Sequence, residues 1–166
     1  MRFATRTLNL CLLGVLLAFP IGTLTASAQQ QRAEVLFVCQ HGNVKSLIAA
    51  ALFNQAVQNR GLSIRASARG IRPEPAVPAD IVRELEKDGL DVSQFTPQAL
   101  TQSDIARAQR VIAIGVDLTK FQTAAPEVIE DWTDIPAASI DYAASRAALL
   151  RHIDSLLAHL QASQAQ

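Results

Sequence analysis

Val35-Leu36-Phe37-Val38-Cys39-Gln40-His41-Gly42-Asn43-Val44-Lys45-Ser46 is the stretch whose reading decides the fold. Its first half is an unbroken apolar run rich in β-branched residues, which reads as a buried strand. It then breaks into a polar loop around Gly42 and Asn43. From Ser46 the spacing turns helical, with Leu47, Ile48, Ala51, Leu52 and Val57 falling on one side. A cysteine therefore sits at the tip of a strand, in a short loop, just before a helix N-terminus. Helix N-termini present free N–H groups and the positive end of the dipole, so they hold oxyanions. Successive loop amides form an anion nest. The same field favours a thiolate, the nucleophilic form of cysteine.

Outward from that stretch, strand and helix patterns alternate. A second strand is expected over Leu62 to Ala66, ending in Ser67-Ala68-Arg69-Gly70. Pro73, Pro75 and Pro78 mark an extended connection, and Pro78 with Asp80 suits the first turn of a helix. Ile81, Val82 and Leu85 form its buried stripe and Gly89 closes it. Asp91 to Leu100 reads as a loop. Thr101 with Asp104 gives a capping-box start to a short helix. Val111-Ile112-Ala113-Ile114 must be a central strand, and Val128 to Trp132 is a weaker one. Ser139 to Leu160 is the clearest helix, with Leu149, Leu150, Ile153, Leu156, Leu157 and Leu160 at helical spacing. Alternation of this kind implies an α/β domain, a parallel sheet with helices on both faces. Ligands of such sheets bind beyond the carboxyl ends of the strands, at the topological switch point. Cys39 follows the first strand, where that point is expected.

Residues 1–28 read as a signal peptide and residues 29–166 as one domain. Arg2 and Arg6 form a basic start, Leu8 to Leu24 an apolar core, and Ala26-Ser27-Ala28 a small-x-small cleavage site. Pro20 and Gly22 interrupt the apolar run, and no later run is long enough to span a bilayer. The expected product is periplasmic or secreted, with no membrane segment after cleavage. Cys11 goes with the signal. The whole chain is charge-balanced, and losing two arginines tips it slightly acidic. With no basic run and few aromatics, nothing points to nucleic acid. Cys39 is then the sole cysteine, whereas exported proteins usually pair theirs in disulfides. A lone thiol in a Gly-Asn loop before a helix reads as reactive or oxyanion-facing. His152 and His159 lie seven apart on one helix, and His41 stands alone in the loop, so no metal site or cofactor is expected.

The loop resembles that of the low-molecular-weight protein tyrosine phosphatase and thioredoxin-coupled arsenate reductase superfamily. The motif there is a cysteine, five residues, an arginine and a serine or threonine; Cys39, Gln40 to Val44, Lys45 and Ser46 fill that frame. Lys45 stands in the arginine position, and Gly42-Asn43 lies one place later than in the usual phosphatase loop. The likeness extends over most of residues 34–160, and Ser67 to Leu100 is more similar to the arsenate reductases. It implies a flavodoxin-like, four-stranded parallel sheet in order 2-1-3-4.

The chemistry implied is hydrolysis of a phosphomonoester through a phosphocysteine. Cys39 attacks phosphorus, and the oxyanion is bound by Gln40, His41, Gly42, Asn43, Val44, Lys45 and Ser46. Ser46 donates to the thiolate in the second step, or it is simply the helix cap. The resemblance places the acid before a proline after the last strand. No Asp-Pro pair exists here; Asp134, two before Pro136, is the candidate and Asp131 the second. Trp132 reads as core. Lysine offers a point charge where arginine offers a planar fork. The lost contact predicts a cost of about 2–4 kcal/mol, or ~30 to ~1,000-fold in rate. Arg69, at the carboxyl end of the second strand, or Arg72 is expected to compensate at the oxyanion.

Three alternatives stay open. One is an arsenate reductase, which would need an external thiol or redoxin because the chain supplies no second cysteine. Another is a catalytically weak oxyanion-binding module. The last is a redox-sensing thiol.

Overall fold

The computed structural model of the chain describes residues 33–121 and 129–164. Eight elements follow in order: β1 (Ala33–Cys39), α1 (Lys45–Asn59), β2 (Ile64–Gly70), α2 (Ala79–Lys87), α3 (Gln102–Arg107), β3 (Arg110–Ala113), β4 (Ile129–Asp131) and α4 (Tyr142–Gln164). The sheet is four-stranded and parallel throughout, in order β2-β1-β3-β4. That is the expected 2-1-3-4 α/β architecture.

β1 is central because it is apolar on both faces, as is its neighbour β3. Val35, Leu36, Phe37 and Val38 are all buried, which is why the run does not alternate with polar residues. Val35, Phe37 and Cys39 face one core, shared with α1, α2 and α4; Leu36 and Val38 face the other, shared with Ile105 of α3. The larger core is centred on rings: Phe37 meets Phe53 edge-on at 5.8 Å and Trp132 at 5.5 Å. Truncating a ring of this kind to alanine typically costs about 3–5 kcal/mol.

Two expected boundaries moved for a physical reason. β2 begins two residues late and runs on through Gly70 instead of ending at Ala66. Gly61 turns the chain at φ +64, and small residues on alternate positions let β2 pair with β1 along its whole length, Ala33 to Ile64 and Cys39 to Gly70. α4 starts at Tyr142 and continues to Gln164 rather than spanning Ser139 to Leu160. Asp141 accepts from the Ala144 amide and sets that start. β3 is Arg110–Ala113 and β4 ends at Asp131, each within a residue of expectation. The signal-peptide segment and Val128 lie outside the described residues.

The helix ends follow their chemistry. Gly89 has φ +74, with Gly89 N–H donating to Glu86 and Leu90 N–H to Leu85, a C-cap that only a residue tolerant of positive φ closes readily. Thr101 and Asp104 form a reciprocal capping box on α3. Pro78 sits at the N-cap of α2 rather than inside its first turn.

Candidate active site

The loop after β1 is shaped from outside. Ile71, Arg72 and Glu74 donate backbone N–H bonds to the carbonyls of Cys39, Gln40 and His41, at 3.1, 2.9 and 3.1 Å. In a trans peptide the N–H points opposite to the carbonyl of the preceding residue. Holding those three carbonyls outward therefore turns the amides of Gln40, His41 and Gly42 inward. The Gly42 amide identifies the inward side, because it donates to Cys39 Sγ at 3.3 Å.

The loop also packs backbone against backbone. Gly42 has φ +68, and a Cβ there would stand 2.7 Å from the Gly70 nitrogen. A Cβ on Gly70 would in turn stand 2.7 Å from Gly42 N and His41 C. Side chains at either place are excluded, so the end of β2 is the wall against which the loop is folded. Sequence reasoning did not single out Gly70 as a site residue; an isolated glycine in a strand pattern is the signal that marks such a close approach.

Cys39 is 6 % exposed and Ser46 is fully buried. Their Sγ and Oγ atoms lie 3.1 Å apart. With the sulfur ionised, the hydroxyl is the donor. Ser46 is the second residue of α1, whose N-cap is Val44, so Ser46 is not the helix cap. α1 has no side-chain cap and no acidic residue in its first turn, in contrast to the capping box on α3. The first-turn amides of Lys45, Ser46 and Leu47 are thus the donors a helix leaves over for an anion.

The remaining expected residues are placed as follows. Asn43 is buried and its carboxamide donates to the Ala76 carbonyl at 2.9 Å; its side chain braces the loop. His41 is exposed, with Nε2 4.0 Å from Glu74. Lys45 turns its ammonium to the Ile135 carbonyl, at 2.7 Å. Arg69 does not come to the loop. It pairs with Val38 in register, so it lies on the opposite face of the sheet from Cys39. There its guanidinium holds Asp104 at 3.2 Å and the Ala68 carbonyl at 2.9 Å. Burial raises the Asp104 carboxyl, but bonds from Thr101 and Arg69 outweigh that and leave it below its ordinary value.

Asp134 is exposed and its carboxylate accepts from His152 Nε2 at 2.8 Å. That bond holds the carboxyl below the usual range, with slight desolvation opposing it. The His152 ring stacks on Trp132, centroids 4.6 Å apart. Trp132 is buried core, and its indole N–H donates to Glu130 at 2.7 Å. Asp131 pairs with Ala113 and by alternation shares the face of Ala113 and Val38. A separate cleft of about 460 Å³ runs between α1, β2 and residues 91–98, and Cys39 does not line it. Among the described residues no group of three or more His, Cys, Asp or Glu is placed to hold a metal ion.

A buried sulfur, a hydroxyl and an amide on it, and an uncapped helix behind it are an arrangement suited to an oxyanion beside a thiol. Solved structures carry the same fold. The low molecular weight protein tyrosine phosphatase of T. tengcongensis superposes with a TM-score of 0.68 at 22 % identity, covering 76 % of this chain and 99 % of that one. A thioredoxin-dependent arsenate reductase of Corynebacterium glutamicum gives 0.64 at 25 % identity, over 79 % of this chain and 63 % of that one. An arginine phosphatase of Geobacillus stearothermophilus gives 0.63 at 21 %, over 80 % and 96 %. The family model for low molecular weight phosphotyrosine protein phosphatase matches residues 34–131, more than half of the chain. Strand, cysteine loop, serine and helix thus agree with the match, and the chain belongs to the low molecular weight phosphotyrosine protein phosphatase family.

Proposed function

We propose that the protein is a phosphomonoesterase with Cys39 as its nucleophile. The observation that carries this is the placement of Cys39 Sγ, 3.1 Å from Ser46 Oγ and 3.3 Å from the Gly42 amide. The monoester binds with its non-bridging oxygens on the amides of residues 40–46. The thiolate attacks in line; an S–P bond forms and the P–O bond to the leaving group breaks. A carboxylic acid of the segment after β4 gives that oxygen its proton. Asp134 does so once it leaves His152; Asp131 shares the face of Val38, opposite Cys39. Water then attacks phosphorus, the carboxylate takes its proton, and the S–P bond breaks to return the thiolate. Ser46 stabilises the departing sulfur, and the inward amides stabilise charge on the phosphoryl oxygens in both steps.

Hydrolysis of an aryl phosphate by residues 29–166 tests this. Turnover is expected, and Cys39→Ser is expected to abolish it; a Cys39→Ser variant as active as wild type would refute the assignment.

A second chemistry is supported by the similarity to a thioredoxin-dependent arsenate reductase. Cys39 would displace an oxygen from arsenate to give a Cys39–arsenic(V) adduct. An external thiol or redoxin would then attack Sγ, and the S–As electron pair would leave with arsenic as arsenite. A second external thiol would resolve the mixed disulfide. Arsenite release that requires both added thiol and Cys39 would establish it.

The export expectation belongs to the same proposal: cleavage after Ala28 gives a periplasmic or secreted enzyme. N-terminal sequencing of exported protein is expected to begin at Gln29, and a chain still beginning at Met1 would contradict it.

A further inference from the structure

We infer that Lys45 is a positioning residue for the segment after β4, and not a ligand of the bound oxyanion. The kinetic part of this inference rests on the phosphatase reading above. Lys45 is the first residue of α1, so its backbone belongs to the cradle. Its ammonium does not. Nζ donates to the Ile135 carbonyl at 2.7 Å and stands 4.0 Å from where a Cβ on Gly115 would be. Gly115 follows β3 and Ile135 follows β4, so one half-buried ammonium reaches past the ends of both strands.

The segment it meets is otherwise tied to β3, to α4 and to the larger core. The Trp132 amide donates to the Ala113 carbonyl at 2.8 Å. Asp134 is held by His152 of α4. The Ile135 side chain is buried in the larger core. Lys45 supplies the link from this segment to the cysteine loop. The chemistry of the side chain suits that task. An ammonium is a point donor matched to one carbonyl oxygen, whereas a guanidinium is a fork matched to two phosphoryl oxygens. The phosphoryl oxygens are therefore left to the amides of residues 40–46, and Lys45 sets where the proton donor stands.

Leaving groups separate the two roles, because 2,4-dinitrophenolate departs without a proton and phenolate needs one. The experiment compares wild type, Lys45→Met and Lys45→Arg. It measures kcat/KM for both aryl phosphates, the affinity for inorganic phosphate, and the emission of Trp132, the sole tryptophan of the chain. For Lys45→Met, phosphate affinity is expected to stay within about threefold of wild type, while kcat/KM falls roughly 30-fold or more for phenyl phosphate and less than about fivefold for the dinitrophenyl ester. Trp132 emission is expected to shift. Lys45→Arg, which keeps a donor for Ile135, is expected to retain the wild-type ratio between the two esters. A loss of phosphate affinity of about tenfold or more, with equal losses on both esters and unchanged Trp132 emission, would overturn the inference and make Lys45 an oxyanion ligand. If wild type turns over neither ester, the phosphatase reading falls. Phosphate affinity and Trp132 emission then still decide the role of Lys45.

Discussion

Gly70 shows how a residue far from the nucleophile in sequence governs its loop. Its missing Cβ makes room for His41 and Gly42, and its neighbours supply the donors that turn the loop carbonyls outward. Gly70→Ala places a methyl group against backbone that cannot rotate away. Phosphate affinity is expected to fall about tenfold or more by loss of aligned amides. Far-UV dichroism should stay native, since alanine costs the backbone less than glycine in a strand and only the loop must shift. Undiminished phosphate binding in this variant would contradict the cradle as described. At this scale the sequence was legible where chemistry depends on residue type and order: a cysteine, a glycine and a serine before a helix. It was not legible where a long side chain chooses among partners. Lysine has four rotatable side-chain bonds, and nothing local to Lys45 shows that its ammonium would reach Ile135, 90 positions away. Arg69 failed as an oxyanion residue for a different reason. Strand alternation puts it on the far face, and its register became readable only once β2 was seen to run to Gly70.

The segment after β4 is where element-scale packing sets chemistry. α4 carries His152, which stacks on Trp132 and holds the Asp134 carboxylate. A proton donor must be protonated to act, so a carboxyl held below its usual value by His152 works only at lower pH. His152→Phe keeps a ring against Trp132 and removes the hydrogen bond. Asp134 then returns upward toward its ordinary value, and the falling limb of the kcat/KM profile for phenyl phosphate is expected to move to higher pH. An unmoved limb would take Asp134 out of the reaction. Capping was partly legible at this scale: the Thr101–Asp104 box stands in the structure as its spacing predicts. Ser46 as a cap does not, because the loop supplies one more residue of helix before it and turns its hydroxyl to sulfur.

For the molecule as a whole, the order 2-1-3-4 came with the family resemblance, and the apolar runs give the physical reason for it. A strand apolar on both faces must be central, and parallel strands need helical crossovers, so β1 and β3 lie inside with β2 and β4 at the edges. That puts the carboxyl end of β1 at the switch point and makes the first loop the site. The same logic was silent on the second edge, where β4 is three residues long. The central claim is that this arrangement makes Cys39 a phosphate-transferring nucleophile. The most direct test is rapid mixing of residues 29–166 with an aryl phosphate, followed by an acid quench and mass analysis of the Cys39 peptide. A phosphocysteine on Cys39 is predicted, accumulating further in Ser46→Ala, where loss of a hydrogen bond to charged sulfur slows its breakdown by roughly 10-fold or more. Turnover of the ester with no phosphate on Cys39 in either protein would contradict the account.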